Sequence, residues 1–157
     1  MTPVATGNVV WGVTPLWLSC FLTGLHPPLE LIVSVRAVLT APNGGIFVFD
    51  DNGPHVLPGE RREGPEFLDP LIREIGEEIG CTIVGLPRPP GFFELRNDGS
   101  RPERHPYPYH HVVFKATAGP VTRAPMDPNV HNGRFVSRDE ALAMDLPWDE
   151  RAFLEAT

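Results

Sequence analysis

A chain of 157 residues, 41% hydrophobic and 21% charged, has the size and composition of one soluble domain with a single core. Its net charge of −7 excludes the basic face that a nucleic-acid polymer binder needs, but not a small nucleotide whose phosphates arrive with a divalent cation. The two cysteines, Cys20 and Cys81, have no metal-ligand spacing and read as buried thiols of a reducing, cytoplasmic compartment.

Residues 1–29 contain no Lys, Arg, Asp or Glu. A signal peptide would start with a positive segment, which is missing. A membrane span would need roughly 20 apolar residues, and Gly12, Thr14, Pro15 and Ser19 interrupt this run. The stretch is therefore expected to form one or two β-segments, packed on the body of the domain or across a dimer axis, with Trp11 and Trp17 as anchors. We divide the chain into an apolar N-terminal extension, 1–28, and a main domain, 29–157.

Residues 31–40 predict a strand, 41–45 (Ala-Pro-Asn-Gly-Gly) a turn, and 46–50 the returning strand. Arg36 is a lone cation in the first of these; it reads either as an ion-paired strand residue or as a substrate contact. A charged Gly/Pro loop from Gly59 leads to a helix. Asp69-Pro70 predicts its N-cap and first position, with Phe67 and Leu68 still in the loop before it. Gly76 inside the helix costs about 1 kcal/mol relative to Ala, and Gly80 supplies the stop. Cys81–Val84 reads as a strand, Pro87–Gly91 as a stiff connector, and Phe92–Arg96 as a second short strand. The loop 101–108 holds three prolines with Arg101, Glu103, Arg104, His105 and Tyr107. Tyr109–Ala116 predicts a central strand. His105, His110 and His111 do not make a metal set, because adjacent strand residues point to opposite faces; one of His110 and His111 should face a cleft. A polar connector (119–132), a strand (134–137), a helix capped by Ser137 or Asp139, and a closing helix (147–154) complete the chain.

The densest chemistry is Arg73-Glu74-Ile75-Gly76-Glu77-Glu78-Ile79-Gly80. At about 100° per residue, Glu74, Glu77 and Glu78 share one helical face while Ile72, Ile75 and Ile79 share another. Three carboxylates this close repel unless a cation sits among them, and oxygen-only ligands suit Mg2+ or Mn2+. A bare solvated acidic face has the same spacing. The flanks decide between them: Arg73, Glu74, Ile75, Glu77, Glu78, Gly80 and Cys81 resemble the C-terminal half of the Nudix hydrolase signature without a gap. In its N-terminal half Gly59 takes the glycine position. The glutamate position falls on Pro65; Glu66 fills it only with a one-residue slip that puts Glu60 at the glycine position.

The resemblance spans roughly residues 31–154. It implies an α/β (α+β) fold with a mixed β-sheet sandwiched between helices, to which the N-terminal β-segment is an addition. It also implies Mg2+-dependent hydrolysis of a pyrophosphate bond in a nucleoside diphosphate linked to another moiety, with Mn2+ as an alternative metal. Glu74, Glu77 and Glu78 would be metal ligands, the Gly59 carbonyl would complete their shell, and Arg73 would pair with Glu66. Arg36, Arg104, Tyr107 and Tyr109 are substrate-binding candidates, and Glu94 and Glu103 general-base candidates. The implied partner is a small nucleotide-derived substrate, with no nucleic-acid polymer and no membrane, and a homodimer through the N-terminal extension. The irregular N-terminal half keeps a second reading open, a catalytically weak or inactive nucleotide-binding module of the same fold.

Overall fold

The computed structural model describes residues 1–11, 13–65, 68–97, 108–124, 126, 128 and 130–156, with backbone alone at 89 and 90. Its frame is a nine-stranded mixed sheet. The strands are β1 (Ala5–Trp11), β2 (Thr14–Leu22), β3 (Ile32–Thr40), β4 (Ile46–Asp50), β5 (Pro54–His55), β6 (Gly59–Arg61), β7 (Cys81–Asn97), β8 (Tyr109–Val121) and β9 (His131–Val136). Along the sheet the order is β1-β2-β7-β8-β3-β4-β5, with β6 paired to β3 and β9 to β4. Among the described residues, only the central β3–β8 pairing is parallel.

Period-two alternation sends each strand's apolar residues to two separate cores. On one face Val35, Ala37, Leu39, Val112 and Phe114 meet Leu71, Ile72, Ile75 and Ile79 of α1 (Leu68–Ile79). On the other, Val38, Val48, Phe93, Leu95 and Val113 meet Ala141 of α2 (Arg138–Ala143) and Phe153 and Leu154 of α3 (Trp148–Ala156). Helices thus cover both faces, as expected.

The N-terminal segment belongs to this body. β2 pairs with β7 from Leu16↔Asn97 to Leu22↔Gly91, and Leu16, Leu18 and Cys20 lie in the α3-side core. Gly7 of β1 lies against Trp148 of α3, where a Cβ would come within 2.8 Å of the indole. Both cysteines are buried and unbridged.

Three expectations are corrected. α1 begins at Leu68, not after an Asp69 cap. Pro70 is tolerated there because the first-turn N–H groups have no intrahelical acceptor, and Leu68 joins the core edge. Residues 87–91 are not a connector: β7 runs through them as one strand, with its pairing to β8 shifted between Val84 and Arg88 and again between Arg88 and Gly91. Proline lacks the ladder donor, so it sits at such irregularities. The last strand starts at His131 rather than Arg134, because β9 pairs with β4 as far as Asp50↔His131.

Gly76 within α1 and Gly80 just after it have positional reasons. A Cβ on Gly76 would meet the Cys81 carbonyl at 3.0 Å and Ile83 at 3.0 Å, so close packing of α1 on β7 offsets its poor helix propensity. Gly80 has φ +90°, and a Cβ would fall 2.1 Å from the Arg123 carbonyl oxygen. The open carbonyls of the helix end are covered too: Glu77 accepts from the Arg123 guanidinium at 2.5 Å and Glu78 from the Met126 N–H.

Candidate active site

A cleft of about 880 Å3 opens on the α3 side of the sheet. Its floor comes from β3 and β8. Arg36 shares a face with Val38, and His111 with Val113, so both side chains project toward α3. β5 contributes His55, β6 contributes Gly59 through Arg61, α3 contributes Glu150, and the N-terminal hairpin contributes Trp11.

Glu150 is the hub of the polar wall. It is 2% exposed, yet its carboxylate is well matched: Oε2 accepts the Val56 N–H at 2.8 Å and Oε1 meets His55 Nδ1 at 2.9 Å. Arg36 Nη1 approaches the same Oε1 at 3.8 Å. The other His55 nitrogen, Nε2, lies 2.8 Å from the Asp51 carbonyl. With an acceptor at each ring nitrogen, the doubly protonated imidazolium fits best, and the Glu150 hydrogen bond raises the His55 pKa against the opposing effect of burial.

His111 behaves oppositely. It is 3% exposed, and burial, the Arg36 charge and His110 push its pKa down to about 3. Its Nε2 has no hydrogen-bond partner among the described residues, and neither does Arg36 Nε. The Trp11 ring meets the His111 ring edge-to-face at 4.9 Å. His110 points to the other face, against Phe92, with Nε2 3.2 Å from Glu94 Oε2. Burial lowers its pKa against the pull of Glu94. A cleft-facing partner within the His110/His111 pair is therefore found, and it is His111.

These histidines set an acid slope. Folded His111 stays neutral while its unfolded counterpart takes up a proton below about pH 6.5. Stability from this site is thus full above pH 6.5 and lost as pH falls toward 3, by about 1.4 kcal/mol per pH unit at most. Urea melts of wild type and His111→Asn between pH 7 and 4.5 should converge as pH falls. Parallel curves would show that His111 is not held neutral.

The acidic face of α1 lies outside the cleft, on the helix that covers the opposite face of the sheet. Glu74 and Glu78 are half-buried and Glu77 is exposed; Arg73 Nε reaches Glu77 Oε1 at 3.7 Å, an exposed i,i+4 pair. None of the three glutamates lines the cleft. The link is β6, which α1 packs against and whose Gly59 lines the cleft. A Cβ on Gly59 would lie 2.7 Å from Arg36 Cγ and 3.0 Å from the Val35 carbonyl oxygen, so glycine is what lets β6 sit on β3. Among the described residues, no three His, Cys, Asp or Glu gather into a ligand group. The carboxylate oxygens on α1 suit Mg2+ in donor type alone, a cation that usually takes one or two carboxylates and fills its octahedron with water and substrate phosphate.

No family model matches the chain, and no curated protein matches it in sequence. Solved structures do match in fold. A pyrophosphohydrolase from Bacillus subtilis is 12% identical, with a TM-score of 0.57 over 76% of this chain and 72% of that one. The dihydroneopterin triphosphate pyrophosphohydrolase of E. coli is 13% identical, with a TM-score of 0.54 over 79% and 92%. The Nudix domain of Shewanella oneidensis NrtR, solved with ADP ribose, is 18% identical, with a TM-score of 0.53 over 83% and 90%. The chain has the Nudix fold.

Within this Nudix fold the sequence candidates scatter. Arg36, Gly59 and Tyr109 line the cleft; Arg73, Glu74, Glu77 and Glu78 lie on α1. Glu94 is on the α1 side of β7, held by Arg96 at 2.6 Å as well as by His110. Burial raises its pKa, but these two partners outweigh burial and lower it. Glu66, Arg101, Glu103, Arg104, His105 and Tyr107 lie outside the described residues, so the Arg73–Glu66 pairing does too. Sequence reasoning missed His55 and Glu150 as cleft groups, and read Trp11 as a core or interface anchor. Among the described residues, no helix is long and apolar enough to cross a membrane.

Proposed function

We propose that the chain hydrolyses a pyrophosphate bond in a nucleoside diphosphate linked to another moiety, using Mg2+ or Mn2+. The observation that carries this reading is the Arg73–Cys81 signature running along α1 to the start of β7 in a Nudix fold, with its acidic face turned away from the core. Glu74, Glu77 and Glu78, with the Gly59 carbonyl, are the donors offered to the cation. A bound cation would neutralise phosphate oxygens and lower the pKa of an attacking water. The chain's own residues do the rest. Arg36 and Arg61 line the cleft and supply positive charge for a phosphate chain. Glu150 holds Arg36 in place, and the Arg73–Glu77 pair relieves repulsion along the helix.

The test is a hydrolysis panel with and without Mg2+ or Mn2+: nucleoside triphosphates, ADP-ribose, sugar nucleotides, dinucleoside polyphosphates, NADH and coenzyme A. Metal-dependent release of a nucleoside phosphate from at least one of these is the expected result. A flat panel with nucleotide binding retained would replace the hydrolase by a binding module.

A further inference from the structure

The N-terminal hairpin does more than extend the sheet. Trp11 closes β1 opposite Thr14 of β2 and reaches the cleft while remaining 40% exposed. A tryptophan needed only for packing gains most when fully buried; this one stands at the cleft wall beside two other rings. Its centroid lies 4.9 Å from His111 and 6.1 Å from Tyr109, at interplanar angles of 73° and 55°. Neither ring is parallel to the indole, so neither of these neighbours takes a stacked position on it.

The remaining lining defines what would stack there. Beside the aromatic wall stand Arg36, Arg61 and His55. Cations facing aromatic rings suit a ligand that joins an anion to a flat ring. The Nε2 of His111, without a hydrogen-bond partner among the described residues, is on the ring that Trp11 meets and offers a hydrogen bond to the ligand ring's polar edge. A mere packing role for Trp11 would explain its contact with His111, but not a buried polar atom left without a partner at the same wall.

We propose that Trp11 is the stacking platform for the nucleobase, that His111 reads the edge of that base, and that the N-terminal hairpin thereby sets base preference. This rests on the reading of the cleft as a nucleotide site. Stacking on one aromatic side chain is sequence-tolerant in strength, so discrimination between bases falls to His111.

The experiment is metal-free calorimetric titration of the full chain with the four nucleoside 5′-monophosphates and with ribose 5-phosphate. Trp11→Ala should weaken the best nucleotide about 10- to 100-fold and leave ribose 5-phosphate unchanged. Trp11→Phe should restore most of the loss, and His111→Asn should reorder the four bases. Equal weakening of nucleotides and ribose 5-phosphate would overturn the proposal. So would no change in Trp11→Ala, or a wild type that binds no nucleotide better than ribose 5-phosphate. Because titration needs no turnover, a flat hydrolysis panel beside Trp11-dependent binding would sink hydrolysis alone.

Discussion

Glu78→Gln should abolish most metal-dependent turnover, by about 10³-fold, while leaving the protein as stable as wild type or slightly more so. The two halves of this expectation have one cause. Glu74, Glu77 and Glu78 crowd one face of α1, and with no cation present they repel. Neutralising one relieves a few tenths of a kcal/mol of that repulsion. With metal bound, the same change removes a ligand from a centre whose charge stabilisation amounts to several kcal/mol, and each 1.36 kcal/mol is tenfold in rate. Melting curves would therefore separate without Mg2+ in one direction and with saturating Mg2+ in the other. Turnover within about threefold of wild type would show that the helix carboxylates are not the metal-binding set. A large loss of stability would assign Glu78 a structural role instead.

Glu150→Ala is expected to be the most destabilising single change in the cleft, by about 3–5 kcal/mol, because it breaks a buried pair by removing one partner. The Val56 N–H and His55 Nδ1 lose their acceptor, and the Arg36 guanidinium loses its counter-charge. Glu150→Gln should be milder, since an amide oxygen can still accept from Val56. Its distinguishing sign is pH. Glu150 raises the His55 pKa, so the stability of the His55–Glu150 pair is fully present below about pH 6.5. It is lost as pH rises through the folded pKa of His55. The gap between wild type and Glu150→Gln, followed by urea melts, should therefore narrow as pH rises. It should not close, because Arg36 keeps its charge. A gap independent of pH would mean that His55 is not protonated on Glu150.

Much of this molecule was legible in the residue order. The i, i+3, i+4 spacing of Glu74, Glu77 and Glu78 and the stop at Gly80 are local properties, and α1 realises both. The strands around Arg36, Phe47 and Val112 follow from apolar runs bounded by turn residues. Ser137 caps α2, accepting the Glu140 N–H at 3.1 Å, one of the two caps its sequence allowed. The polar wall of the cleft was not legible, for a physical reason. His55, Glu150 and Trp11 come from β5, α3 and β1, and only the tertiary fold brings them to one cleft. In sequence Glu150 is simply an acidic residue in the first turn of a helix, where the helix dipole favours it anyway. Gly76 misled in the other direction: propensity alone makes it a weakness, and only the approach of α1 to Ile83 shows what it permits.

The placement of β2 also bears on how the chain acquires its structure during synthesis. β2 leaves the ribosome before its sheet neighbour β7, which follows only after β3 to β6 and α1. Until then Leu16, Leu18 and Cys20 have no core to enter. β1 can pair with β2 at once, yet a lone two-stranded hairpin is marginal in water. The nascent chain thus carries an uncharged, apolar hairpin in waiting, the kind of transiently exposed surface that chaperones shield. Solubility on expression should hinge on this hairpin more than on any other part of the chain.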